Sequence, residues 1–194
     1  MSQRANYLNE VGLLSHIPRS GFAFLGSGEQ SVAEHIFRTL HIAFILTRMS
    51  EQAVDETRVL HLALFHDVPE ARTGDHNYVN RKYVIEDLER VLADGAREWP
   101  HGEEIVTAIR EFEEGTTPEA RLVKDADQLE LLLVLKQQAD LGNPHAHEWI
   151  TPLLARLKTT AGKRLAEEIL ATRWDAWWFN NKNDPHWVEG KKRA

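Results

Sequence analysis

An all-α fold is the class this sequence predicts, and three observations predict it. Apolar residues recur at helical spacing, as in Tyr7, Leu8, Val11 and Leu14, and strict strand-like alternation is nearly absent. Helix-start signals precede the apolar runs, the clearest being Ser31 with Glu34 three residues on, a pair that caps reciprocally. Finally, 194 residues can bury a substantial core yet fall within the size of one domain, so a single compact unit over 1–194 is expected.

The elements follow in order. After a first helix through Tyr7 to Leu14, Ser31 opens a helix from about Val32 to Met49, with Val32, Ile36, Leu40 and Phe44 as its apolar row and His35 in its first turn. Asp55 caps the next, through Val59, Leu60, Leu62, Ala63 and Leu64. Pro69 ends it, because proline lacks an amide donor and restricts Val68 before it. His66 and Asp67 fall in that closing turn. The polar stretch from Ala71 to Arg81, with Gly74 and two asparagines, reads as a loop over the helix end, where loops often complete sites. Helices are then expected over Tyr83 to Leu92, Glu103 to Glu114 and Pro118 to Leu141. Thr117 caps the last, with Pro118 at its first position and Asp127 in its middle. Gly142 to His147 reads as a turn, and Thr160 to Asn180 as a final long helix before a polar tail. The motif-bearing part spans about 18–133 and the C-terminal helices with the tail about 151–194, with no internal repeat or low-complexity linker.

Composition narrows the function classes. The hydrophobic share of 42% and charged share of 27% are ordinary for a globular protein. No apolar run approaches the ~18 residues that span a bilayer, so no membrane partner is expected. The N-terminus, MSQRANYLNEVGLLSH, lacks the cationic and apolar regions of a secretory signal, which points to the cytoplasm. With no cysteine, disulfides, thiolate nucleophiles and Cys-ligated zinc are excluded, leaving histidine and carboxylates as strong metal ligands. Lys plus Arg number 23 against 30 Asp plus Glu, a net charge of −7 that repels polyanions and argues against nucleic acid as partner. Lys191-Lys192-Arg193 reads as a solvated tail. A small phosphorylated molecule can still bind, because a local cation outweighs a diffuse field at short range.

The adjacent imidazole and carboxylate of His66-Asp67, where a helix ends, can both reach one ion. By itself the dipeptide says little, and the same holds for His35, which could equally be a half-buried, hydrogen-bonded histidine. Asp127 lies between Val123 and Leu131, one turn to either side. A carboxylate there needs a partner. Lys124, a distant arginine or a metal ion would each serve. Two histidines and two aspartates make an N/O set that Mn, Fe, Co, Ni or Zn can use with positions left for water.

The order His35, His66-Asp67, Asp127 resembles the H…HD…D signature of the HD superfamily. More narrowly, PRSGF, SVAEH, FHDVPEARTGD and LVKDAD, between Pro18 and about Leu133, resemble the small bacterial 5′-deoxynucleotidase family and related HD hydrolases. That resemblance implies one divalent transition-metal ion on His35, His66, Asp67 and Asp127. The family's V-K-x-x-D pattern selects Asp127 over Asp125, leaving Asp125 as a surface residue or a support behind the ligands. The resemblance further implies that Glu70 positions or deprotonates the attacking water, that Asp75 contacts the reacting ester and that Arg19 binds the substrate phosphate. Phe22 stands near where the family usually has tryptophan, and is expected to stack on the base or line the pocket. A homodimer is also implied.

Other features have simpler readings. Trp174, Trp177 and Trp178 sit at helical spacing, which suits core or a subunit interface. His41, His61, His76 and His101 lack clear partners for a second ion. Arg81 and Lys82 could reach a phosphate or serve only solubility, and Glu113-Glu114 and Glu167-Glu168 read as solvated faces. The expected function is therefore hydrolysis of a (deoxy)nucleoside 5′-monophosphate. Its rivals are a deoxynucleoside triphosphohydrolase, which would need more Lys or Arg around the pocket, and an idle metal-bound nucleotide sensor, which would not need Glu70.

Overall fold

The computed structural model describes residues 2–188 and Gly190; the basic tail at Lys191-Lys192-Arg193 lies outside them. The helices are α1 (Gln3–Leu13), α2 (Phe22–Leu25), α3 (Val32–Met49), α4 (Glu56–Phe65), α5 (Glu70–Thr73), α6 (Leu88–Glu98), α7 (Gly102–Glu114), α8 (Pro118–Asp140), α9 (Pro144–Leu154), α10 (Thr160–Ala171), α11 (Ala176–Phe179) and α12 (Pro185–Val188). No strand occurs among the described residues, although Pro18 and Ser31 form one antiparallel bridge.

The expected caps are present. Ser31 and Glu34 make both halves of the capping box at α3, Asp55 caps α4, and Thr117 with Pro118 opens α8. Each satisfies amides that a helix start leaves without carbonyl partners.

Helices α3, α4, α8, α9 and α10 surround the main core, which includes Leu46, Leu62, Leu129, Leu132 and Leu135. Burying one such leucine contributes about 1.5–3 kcal/mol. Leu92, Trp99 and Ile109 build a second cluster between α6 and α7, and Phe65 packs against both. Leu14, Val32 and Ile36 join α1 to the start of α3.

Several boundaries differ from expectation. The buried row of α3 is Val32, His35, Ile36, Thr39, Ile42, Ala43 and Leu46, whereas Phe44 is exposed. A strict four-residue step drifts around a helix of 3.6 residues per turn, so the buried stripe alternates steps of three and four. Pro69 closes α4 but also begins α5, so the expected loop starts with a helical turn. Residues 83–87 lie outside any helix, Tyr83 closing the short turn at Asn80–Lys82, and α6 starts only after Asp87 supplies a cap for Arg90 N–H. The expected turn at 142–147 gives way to α9 once Asn143 and Pro144 supply cap and first residue. The final helix stops at Ala171, and α11 begins anew at Ala176, so the three tryptophans do not share one helix.

Candidate active site

His35 enters the site from the first turn of α3, His66 from the end of α4, Asp67 from the following turn and Asp127 from mid-α8. The two imidazole Nε2 atoms stand 3.4 Å apart. Asp67 Oδ2 lies 3.4 Å from His35 Nε2 and 3.3 Å from His66 Nε2, and Asp127 Oδ1 lies 3.2 Å from His35 Nε2. His66 Nδ1 lies 2.9 Å from the Ala63 carbonyl, an acceptor only, so the ring donates there and Nε2 is the nitrogen that faces the cluster.

The donor chemistry fits a divalent ion. His35, His66 and Asp127 offer ligand atoms all within 4.8 Å of one another, the one such group among the described residues. Asp67 adds a carboxylate oxygen in contact with both histidines. Such a set of imidazoles and carboxylates suits a borderline transition metal. Lys124, an alternative partner for Asp127, instead lies over the Phe112 ring at 4.2 Å.

Exposure gives the cluster a direction. The His35 and His66 side chains are 0% and 1% exposed, whereas Asp67, Arg19 and Asp127 keep 16%, 19% and 24%. The cluster is therefore closed behind the histidines and open beside Arg19 and the aspartates.

The arginine is held there by local structure. Arg19 N–H donates to the Gln30 carbonyl and Val32 N–H to the Ile17 carbonyl, which lays the Pro18 segment along the start of α3. Arg19 Nη1 is 3.4 Å from Asp67 Oδ2 and 3.9 Å from Asp75 Oδ1. Ser20 N–H donates to Asp75 Oδ2 at 2.6 Å, so Asp75 pins the segment that carries Arg19. Gly74, at φ 79°, makes the turn that brings Asp75 there, a backbone conformation most side chains resist.

Charges within the cluster act on one another. Burial opposes ionisation of His35, but its hydrogen bonds to Asp127 and Glu130 raise it from 6.5 to about 9. Burial likewise disfavours the Asp67 and Asp127 carboxylates, yet the histidines and Arg19 hold both below their usual range. Burial, Asp67 and Asp75 push the Glu70 carboxyl up from 4.5 to about 9. Glu70 Oε2 is buried with no hydrogen-bond partner among the described residues. Arg19 stays charged despite burial, because Asp67, Asp127, Asp75 and Glu70 surround it.

Phe22 is half-buried against the main core at the start of α2. Asp125 is neither on the surface nor behind a ligand. It is fully buried and accepts from Lys158 N–H, Thr159 N–H and Thr159 Oγ, tying α8 to the start of α10. His61 and His76 lie beside Glu104 and Glu86, His41 meets Phe37 edge-to-face, and His101 precedes α7 at φ 57°. Lys82 lies over the Tyr78 ring.

Sequence reasoning missed Glu130. It is 1% exposed, one turn beyond Asp127, and its Oε2 is 2.7 Å from His35 Nδ1. Arg38 and Gln30 donate to its other oxygen. A lone acid inside LELLLVL was the available signal, since a buried carboxylate requires partners.

Known proteins match on both sequence and shape. The zebrafish (Danio rerio) 5′-deoxynucleotidase HDDC2 is 28% identical over 156 residues, covering 74% of each chain. A conserved hypothetical protein from Pyrococcus furiosus superposes with a TM-score of 0.74 at 24% identity, over 85% of this chain and 98% of its own. The HD phosphohydrolase of cyanophage S-2L, solved with dA and one catalytic zinc ion, superposes at 0.55 with 21% identity, over 84% of this chain and 92% of its own. Residues 11–170 match the family model described as HD domain, a span that contains His35, His66-Asp67 and Asp127, and the chain belongs to the HD-domain family.

Proposed function

We propose that this chain is a metal-dependent phosphohydrolase of small nucleotides that releases phosphate from (deoxy)nucleoside 5′-monophosphates. The observation that carries the reading is the convergence of His35, His66, Asp67 and Asp127 beside Arg19, at an edge open to solution. The HDDC2 name, 5′-deoxynucleotidase, supports the substrate class.

His35, His66, Asp67 and Asp127 would hold one divalent ion, drawn from Mn, Fe, Co, Ni or Zn. When bound, such an ion supplies Lewis acidity toward water and the phosphoryl oxygens. Arg19 binds the phosphate through its guanidinium fork and offsets charge that grows as the ester breaks. Asp75 keeps that fork in place through Ser20. Phe22, three residues beyond Arg19, gives the base or sugar an apolar wall. Glu70 ionises when positive charge offsets its neighbour Asp67, and its carboxylate then takes the proton of the attacking water. The water oxygen bonds to phosphorus as the P–O5′ bond breaks, and the proton on Glu70 is available to the departing O5′.

A single guanidinium favours one phosphate over three. Arg19 is the arginine whose charge acts on Asp67, Glu70 and Asp127, whereas Arg38 is committed to Glu130. An idle sensor would have no need of Glu70, a carboxyl whose burial is costly. The same reading places the protein in the cytoplasm as a homodimer of single-domain chains, with no nucleic-acid or membrane partner; no helix of the described residues is long and apolar enough to cross a membrane.

Phosphate release from a panel of nucleoside mono- and triphosphates, with several divalent ions, tests the assignment. Deoxynucleoside 5′-monophosphates should be cleaved fastest. Release of intact triphosphate from the longer substrates would favour the triphosphohydrolase instead.

A further inference from the structure

We infer that Glu130 is a positioning residue for His35: held so that it can only accept hydrogen bonds, it fixes the imidazole proton on Nδ1 and turns the Nε2 lone pair toward His66, Asp67 and Asp127. The inference rests on the metal reading proposed above.

Glu130 Oε1 receives Arg38 Nε at 2.8 Å, Arg38 Nη2, and Gln30 Nε2 at 2.6 Å. Its Oε2 is left to His35 Nδ1 at 2.7 Å. Both residues are almost fully buried, which shields this contact from water. An ionised carboxylate has no proton to give, so Nδ1 must be the donor, and once the ring gives up its second proton to bind an ion the lone pair is on Nε2. Partners of this kind orient a ligating imidazole and raise its basicity. Spacing also allows it: His35 and Arg38 are three residues apart on α3, as are Asp127 and Glu130 on α8, so one pair of facing turns carries ligands and support together.

A simpler role is a clip, with the Arg38–Glu130 ion pair merely joining α3 to α8. The isosteric substitution Glu130→Gln separates the two. Arg38 and Gln30 both donate at the Oε1 position, so the amide oxygen would settle there and the amide nitrogen would face His35 Nδ1. The hydrogen bond then reverses, Nδ1 must accept, and the proton moves to Nε2, where it blocks the ligand lone pair.

The test uses full-length protein, zinc as the probe metal, chelator competition for affinity, and NMR of ¹⁵N-labelled histidines in the zinc-loaded state. Wild type should show a slowly exchanging His35 Nδ1–H resonance, with zinc on Nε2. Glu130→Gln should lose that resonance and bind zinc ~10–100-fold more weakly. Arg38→Met leaves Glu130 an acceptor, so it should keep the resonance and lose less affinity than Glu130→Gln. The inference is overturned if wild-type zinc sits on Nδ1, if Glu130→Gln binds zinc like wild type with the resonance in place, or if Arg38→Met loses as much affinity as Glu130→Gln. The wild-type resonance decides even if a variant does not fold. A wild type that binds no zinc refutes the metal reading itself and this inference with it, whereas normal wild-type binding with an indifferent Glu130→Gln refutes this inference alone.

Discussion

Glu70 and Arg19 flank the cluster, and they should fail differently. Glu70 begins the short turn of α5, three residues past Asp67 and across Pro69, where the charges of Asp67, Asp75, Arg19 and His35 act on its carboxyl. Glu70→Gln should keep its metal and lose ~10²–10⁴ in kcat with little change in KM. Arg19→Ala should raise KM as well, because its guanidinium meets phosphate in both ground and transition states. Kinetics with metal content measured alongside would separate these outcomes; a Glu70→Gln enzyme at near wild-type rate would require another base. A second consequence concerns pH. His35 and Glu70 both hold their protons up to about 9 in the folded chain, against 6.5 and 4.5 ordinarily. A raised folded value means stability present below the unfolded value and lost as pH climbs through the folded one. Metal-free protein should therefore melt at lower temperature as pH rises from about 6.5 to about 9, while divalent-ion affinity rises because the ion displaces those protons. Melting and metal titration across that window check both slopes, and flat profiles would contradict the proton inventory.

Among the elements, α8 carries two aspartates with opposite tasks. Asp125 satisfies two backbone amides and a hydroxyl at the start of α10, and a Cβ on Gly162 would collide with its carboxylate. Asp125→Ala should lose about 2–4 kcal/mol of stability by orphaning those donors, yet retain its metal. Gly162→Ala should cost about 1–3 kcal/mol by overpacking the same contact. Asp127→Ala should do the reverse of Asp125→Ala, emptying the site while unfolding near the denaturant concentration of metal-free wild type. Denaturant titration with elemental analysis of these variants checks the division. The sequence carried the caps at Ser31, Asp55 and Thr117 because capping is local chemistry. It could not carry the break after Ala171, which no proline marks, and at 83–87 the apolar Tyr83, Val84 and Ile85 masked the later start that Asp87 caps. Asp127 was legible through motif spacing. Glu130 was not assigned, because its partners Gln30, His35 and Arg38 lie 92 or more residues away and meet it only through the packing of α3 on α8.

At the scale of the molecule, an acidic chain gathers His35, His66-Asp67 and Asp127 where α3, the end of α4 and α8 pack together. The exposed Trp177, Trp178 and Trp187 at the C-terminal end leave apolar surface of the sort that subunit contacts cover. Light scattering should return twice the 22.2 kDa chain mass; a monomer at tens of micromolar would remove the homodimer. The central claim is that one divalent ion at His35, His66, Asp67 and Asp127 is required for nucleotide hydrolysis. Its most direct test measures bound transition metal and phosphate release from a deoxynucleoside 5′-monophosphate, in wild type and in Asp127→Ala. The account predicts about one ion per chain with hydrolysis in wild type, and loss of both in the folded variant. A wild type without metal, or an Asp127→Ala protein with unchanged metal content and turnover, would contradict it.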